Sequence, residues 1–215
     1  MSTSPIATDQ FYHVYNRGSH KQTLFKSERD YIRFLFLILH LQAPITFRNL
    51  DRQVNYFQKH GQFKITETDV LEITQQRQVD LMAFCIMPNH FHLCVQSHSD
   101  TGVSEYLHRI GTAYSMYFNK KYNQSGHVFQ GKYKAKIIED DNSLTRVSTY
   151  IHQNPWELQL TNNYSWSSLQ DYQENRWGTL LQSSLVIDRF ESFRDYVNEV
   201  ERTHQNKLLI KELQP

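Results

Sequence analysis

The sequence predicts an α+β domain in which strands and helices follow one another along the chain. Three observations carry that expectation. Segments with a strand period and segments with a helix period follow one another as strand, helix, strand, strand, helix, strand, helix. Residues 80–96, DLMAFCIMPNHFHLCVQ, read as two strands joined by a tight turn at Pro88-Asn89. A chain of 215 residues with 39% hydrophobic and 13% aromatic residues is long and apolar enough to bury a core.

The first strand is Phe11–Asn16 (FYHVYN), with Tyr12, Val14 and Asn16 on one face and Phe11, His13 and Tyr15 on the other. Arg17-Gly18 breaks it. The following loop carries Arg17 and Lys21, cations that suit a phosphate backbone and suit open water equally well. Ser27-Glu28-Arg29-Asp30 has the spacing of a capping box, with Asp in place of Glu or Gln, and Ile32, Leu35, Phe36 and Leu39 then recur at helical spacing until Pro44. Between Ile45 and Val79 the pattern is polar and weak. One short helix, Thr68–Gln76, is expected there.

In the hairpin the first strand is almost wholly apolar and the second alternates. Phe91, Leu93 and Val95 point one way; His90, His92, Cys94 and Gln96 point the other. Two imidazoles one residue apart on a strand share a face, which suits a pair of metal ligands completed by a donor from elsewhere. In a chain with 11 histidines such a pair is weak by itself; its place on the polar face of a core strand adds weight. The two cysteines, Cys85 and Cys94, lie in apolar strands without a CxxC pair, so reduced thiols in a cytosolic protein are expected and a zinc ribbon is excluded.

Val103, Leu107, Ile110, Tyr114 and Tyr117 or Phe118 form a helical stripe, ended by Asn123–Gly126. His127–Ile138 reads as a strand with Lys132, Lys134 and Lys136 along one face, which would meet an anion. Glu139–Asn142 is an acidic start to the helix Ser143–Asn154, whose buried stripe is Leu144, Val147 and Ile151 and which Pro155 ends. Tyr150 and Asn154, four residues apart, project together from its flank, a phenol and a carboxamide that could face a metal pair on a neighbouring strand.

Net charge is only +1, so overall charge does not announce a nucleic-acid binder. Its distribution says more. Between Leu107 and Lys136 there are six basic residues and no acidic ones, interleaved with Tyr114, Tyr117, Phe118, Tyr122, Phe129 and Tyr133. Such a stretch can neutralise phosphates and stack bases; it reads equally as a solvated helix and strand with ordinary core aromatics. The start, MSTSPIATDQ, lacks the pattern of a secretory leader, and the apolar run Phe34–Leu41 is too short to span a bilayer.

The segments FYHVYNRGSHKQTLF, AFCIMPNHFHL, YFNKKYNQSGHVFQGKYKAKIIED, YIHQNPW and YSWSSLQDY, running from Phe11 to Tyr172, together resemble the REP-associated tyrosine transposases. These are relatives of the insertion-sequence transposases within the single-tyrosine HUH endonucleases. The resemblance implies a ferredoxin-like or RRM-like α+β fold, an antiparallel sheet with helices packed on one face, in a catalytic domain over residues 1–156. Residues 45–79 depart from the family as an insertion, and residues 157–215 read as a helical extension packed on the same domain. The resemblance also implies Tyr150 as nucleophile and His90, His92 and Asn154 as ligands of Mg²⁺ or Mn²⁺. By charge and ring placement Arg17, Lys21, Lys132, Lys134 and Lys136 are the candidate DNA-backbone contacts and Tyr133 a candidate for stacking on a base. At the third ligand insertion-sequence enzymes often carry Gln, so Asn154 is a departure with a shorter reach.

The implied reaction cuts and rejoins single-stranded or hairpin DNA, a REP-like element with a short guide sequence, through a 5′-phosphotyrosine link. The implied setting is the bacterial cytoplasm, beside the nucleoid and away from membranes, for a monomer or homodimer. Two other readings stand beside it: a regulatory protein of the same fold that grips hairpin DNA or RNA without cutting, and a hydrolase of small phosphodiesters built on His90 and His92. The hydrolase lacks a carboxylate near the pair.

Overall fold

Strand pairing follows the alternation. In the computed structural model, which describes residues 6–47, 49–160 and 164–212, four strands form one antiparallel sheet: β1 (Phe11–Arg17), β2 (Val79–Met87), β3 (His90–Ser97) and β4 (Lys134–Ile138), in the order β2-β3-β1-β4. Residues 1–5, part of the stretch on which the leader reading rests, lie outside the described residues. Helices α1 (Glu28–His40), α2 (Leu50–His60), α3 (Glu67–Gln76), α4 (Gly102–Tyr122), α5 (Asp141–Gln153), α6 (Asp171–Glu174), α7 (Ser184–Ile187) and α8 (Phe193–Glu212) complete the chain.

Register decides which side chains share a face. Tyr12 pairs with Val95 and Val14 with Leu93, and this face is buried beneath α1 and α4. Phe34 of α1 meets Phe91 at 4.9 Å and Tyr114 of α4 at 5.1 Å between ring centroids. Each such fully buried ring contributes about 2–3 kcal/mol by area. The start of α1 is fixed by Asp30, whose carboxylate accepts from the backbone N–H of Lys26 and of Ser27, both at 2.8 Å, as the Asp-for-Glu capping box requires.

The other face carries His13 opposite Cys94, Tyr15 opposite His92 and Arg17 opposite His90. Helix α5 lies over its β2 and β3 half, and α8 packs on α5, so helices cover both faces of the sheet and not one alone. The outer edge of β2 is closed as well: Trp166 O accepts from Ile86 N–H, Phe84 O from Ser168 N–H and Leu81 O from Gln182 N–H. All nine residues of β2 are therefore buried. The region beyond residue 156 thus covers this edge and backs α5. Among the described residues no helix is long and apolar enough to cross a membrane.

Two expectations are corrected. Residues 45–79 hold α2 as well as α3; α2 was hidden because it presents only Val54 as a buried residue, and its packing on α1 comes through a cluster of Phe36, His40, Phe57 and Phe63 that no local pattern reveals. The strand over His127–Ile138 begins only at Lys134, because Gly126 and Gly131 adopt left-handed backbone at φ 92° and 66°. Residues 128–130 instead lace onto the end of β1, with Ser19 N–H donating to Val128 O and Gln130 N–H to Arg17 O. Lys132 therefore precedes the strand that carries Lys134 and Lys136.

Candidate nucleic-acid cleavage site

The β2–β3 turn is held from outside. Pro88 O accepts from the N–H groups of Leu24 and Phe25, and Asn89 O accepts from Gly18 N–H at 2.8 Å. A Cβ on Gly18 would lie 2.2 Å from Gln22 O, so only glycine lets this loop close. Closure brings Arg17 and Lys21 to the rim of a groove of about 590 Å³ that also takes in Tyr15, His90, His92, Lys132 and Lys134. Four cations and two imidazoles thus border one concavity. Lys136, exposed on the same face, stands opposite His13.

The His90 and His92 rings lie 5.2 Å apart, nearly perpendicular. His90 Nδ1 is 2.7 Å from Asn89 Oδ1, an acceptor, so the ring proton sits on Nδ1 and Nε2 is the lone-pair nitrogen. His92 Nδ1 is 2.9 Å from Nε2 of His13. Burial, helped by the charge of Lys136, pushes the His13 pKa down to about 4, so this ring is neutral at pH 7. Tyr150 reaches the same place from α5: its ring lies 5.6 Å from that of His92 and 5.7 Å from that of His13, edge-on to both.

Asn154 follows α5 in helical backbone and is 2% exposed. Its amide nitrogen donates to the carbonyls of Tyr150, at 2.8 Å, and Ile151, at 3.3 Å. With the nitrogen committed to its own helix, the amide oxygen is the atom that could serve an ion. Among the described residues no three His, Cys, Asp or Glu side chains are grouped to hold a metal. Two imidazoles sharing a strand face, each with Nδ1 engaged by a neighbour, nonetheless match how metal-binding histidines are supported. The donor set fits a divalent ion completed by an amide oxygen, phosphate or water.

Tyr133 lies apart from the histidine pair. Its hydroxyl is 2.8 Å from Ser104 Oγ of α4, and it lines a second cleft, of about 810 Å³, between α4 and residues 126–133. The two clefts share Asn16 and Lys132. His13 and Tyr15 are the site residues that sequence reasoning assigned no role. Their shared strand face was visible, but only the register of β1 against β3 sets them beside His92.

No curated protein sequence matches this chain. A solved structure described as "Structure of the REP associates tyrosine transposase bound to a REP hairpin" superposes with a TM-score of 0.51 at 11% identity, covering 84% of this chain and 88% of that one, a likeness of fold. A family model described as "Transposase IS200 like" matches residues 40–154, more than half of the sequence and the span that runs from the end of α1 through the histidine pair and Tyr150 to Asn154. The chain belongs to the IS200-like transposase family.

Proposed function

We propose that this protein is a REP-associated type of tyrosine transposase, a metal-dependent endonuclease and strand transferase for single-stranded and hairpin DNA. The observation that carries the reading is the approach of the Tyr150 ring to His92, from a different element of the fold and onto the same sheet face. Fold likeness to a transposase bound to a REP hairpin supports hairpin DNA as the substrate class.

In this reading Arg17, Lys21, Lys132, Lys134 and Lys136 hold the DNA backbone along the groove, and Tyr133 stacks on a base in the adjoining cleft. His90, His92 and the Asn154 oxygen would hold Mg²⁺ or Mn²⁺, which when bound polarises the scissile phosphate and offsets developing charge. Tyr150 gives up its phenolic proton and its oxygen attacks phosphorus. The bond from phosphorus to the 3′ oxygen breaks, and that oxygen takes a proton to become a free 3′-OH. The phosphodiester's energy is kept in the 5′-phosphotyrosine link, so an incoming 3′-OH can reverse the step and join strands.

The test is a hairpin oligonucleotide labelled on the 3′ side of the cut, incubated with Mg²⁺ or Mn²⁺ and run on a denaturing gel. The expected result is a labelled protein–DNA adduct, absent in EDTA and absent for Tyr150→Phe, while hairpin binding by that variant persists. An adduct that survives Tyr150→Phe removes Tyr150 from the role. Tight binding by the wild-type chain with neither adduct nor cut strand would make it a binding protein of the same fold.

A further inference from the structure

We propose that His13 is a positioning residue: its Nε2 accepts the Nδ1–H of His92 and so turns the Nε2 of His92 toward the divalent ion. The inference rests on His90 and His92 being metal ligands, and it concerns how the second of them is aimed.

A neutral imidazole has one donor nitrogen and one acceptor nitrogen. If His92 is to give its Nε2 lone pair to a cation, its Nδ1 must carry the proton and needs an acceptor. The group at that distance is His13 Nε2, 2.9 Å away. His90 shows the same arrangement from another source, with its Nδ1 2.7 Å from Asn89 Oδ1. One ring is supported by the turn and the other by the neighbouring strand. The His13 and His92 rings lie 5.1 Å apart and within 25° of parallel, so the contact also fixes the plane of His92.

Two other roles fit less well. As a direct ligand His13 would aim Nε2 at an ion shared with His90 and His92, yet that nitrogen faces the other ring, and the three do not form a metal-holding group among the described residues. As a space-filling core residue it would need no particular nitrogen, yet the pair is joined through one nitrogen of each ring.

The experiment measures Mn²⁺ binding to the full chain without DNA, by electron paramagnetic resonance of the free ion. His13→Leu, which keeps bulk but offers no acceptor, is expected to weaken binding by about 10–100-fold, the usual effect of losing such a supporting partner. His13→Gln, which can place an oxygen near the Nε2 position, is expected to recover most of the loss. If His13→Leu binds Mn²⁺ like wild type while His90→Ala does not, the positioning role fails and the metal site stands. If His90→Ala and His92→Ala also bind like wild type, the metal site itself fails. A measurement on the unmutated chain guards against a variant that does not fold: ¹⁵N shifts of the histidine rings, with and without Mg²⁺, should show the proton of His92 on Nδ1 in both. A proton on Nε2 overturns the proposal.

Discussion

One face of the sheet is built in two halves, and each half gives its histidine a different task. Over β2 and β3 it is roofed by α5 and backed by α8, and there His152 is held between two hydroxyls, Nδ1 2.6 Å from Tyr196 Oη and Nε2 2.8 Å from Ser168 Oγ. Both ring nitrogens are used, and His152 is 1% exposed. Over β1, β4 and the His90–His92 end of β3 the face opens into the groove, where His90 and His92 are each engaged at Nδ1 and cations line the walls. The closed half ties α5 to α8 and to the segment along β2. The open half presents ring nitrogens and positive charge to a ligand. Since α5 carries both Tyr150 and His152, two residues apart, fixing the second ring also fixes where the phenol points.

The largest expected effect follows from breaking the closed half. His152→Ala removes the ring that joins the buried Tyr196 hydroxyl to Ser168, whose hydroxyl keeps only its Phe84 backbone contacts, and opens a cavity; it is expected to cost about 3 kcal/mol of stability in urea unfolding. His90→Ala, at a half-buried position beside the groove, is expected to change stability by under about 1 kcal/mol while abolishing adduct formation. Equal destabilisation by the two would erase the distinction between the halves.

The next effect is on pH dependence. Burial pushes the His152 pKa down to about 3, whereas an unfolded imidazole titrates near 6.5. The stability it contributes is complete above pH 6.5. Below that the unfolded chain takes a proton that the folded chain refuses, so stability falls by up to about 1.4 kcal/mol per pH unit until the folded value is reached. His40, buried on the far side and lowered to about 4, acts with the same sign. His152→Gln should flatten the fall between pH 6.5 and pH 4 by about one group's share, measured as urea midpoints across that range. An unchanged slope would mean that His152 titrates normally in the folded chain.

How much of this could be read from the sequence depended on whether the deciding contacts were local. The β3 alternation and the Tyr150–Asn154 spacing are local, so the faces of His90 and His92 and the helix that carries the phenol were legible. The polar reading of the Cys94 face was not: Cys94 is fully buried because α5 roofs that half of the sheet. His13 was on a legible face, but its link to His92 crosses 79 residues and depends on strand register. The split of 127–138 turned on Gly131, a single backbone conformation inside a plausible alternating pattern. Asp30 shows both sides. Its capping role could be read from Ser27–Asp30 spacing, whereas the 2.6 Å ion pair with Lys121 and the hydrogen bonds from Tyr117 and Tyr122 needed the packing of α4 on α1.

The smallest expected effect concerns the charge of the open half. Lys134 and Lys136 are exposed and alternate along β4, facing the same way as His13 and Tyr15. A fully solvated lysine adds little to folding, because water and salt screen it within about 8 Å at physiological ionic strength. Its effect should appear only when a polyanion lies across the face. Replacing both with Gln should leave the urea midpoint in place and weaken hairpin binding about tenfold at moderate salt. The diagnostic quantity is the salt dependence. For single-stranded DNA each lost phosphate contact lowers the slope of log K against log salt by about 0.7, so the double variant should lose about 1.4, read by fluorescence anisotropy. A lower affinity with an unchanged slope would place these lysines away from the phosphates, and the DNA would then have to run along the α4 cleft in place of β4.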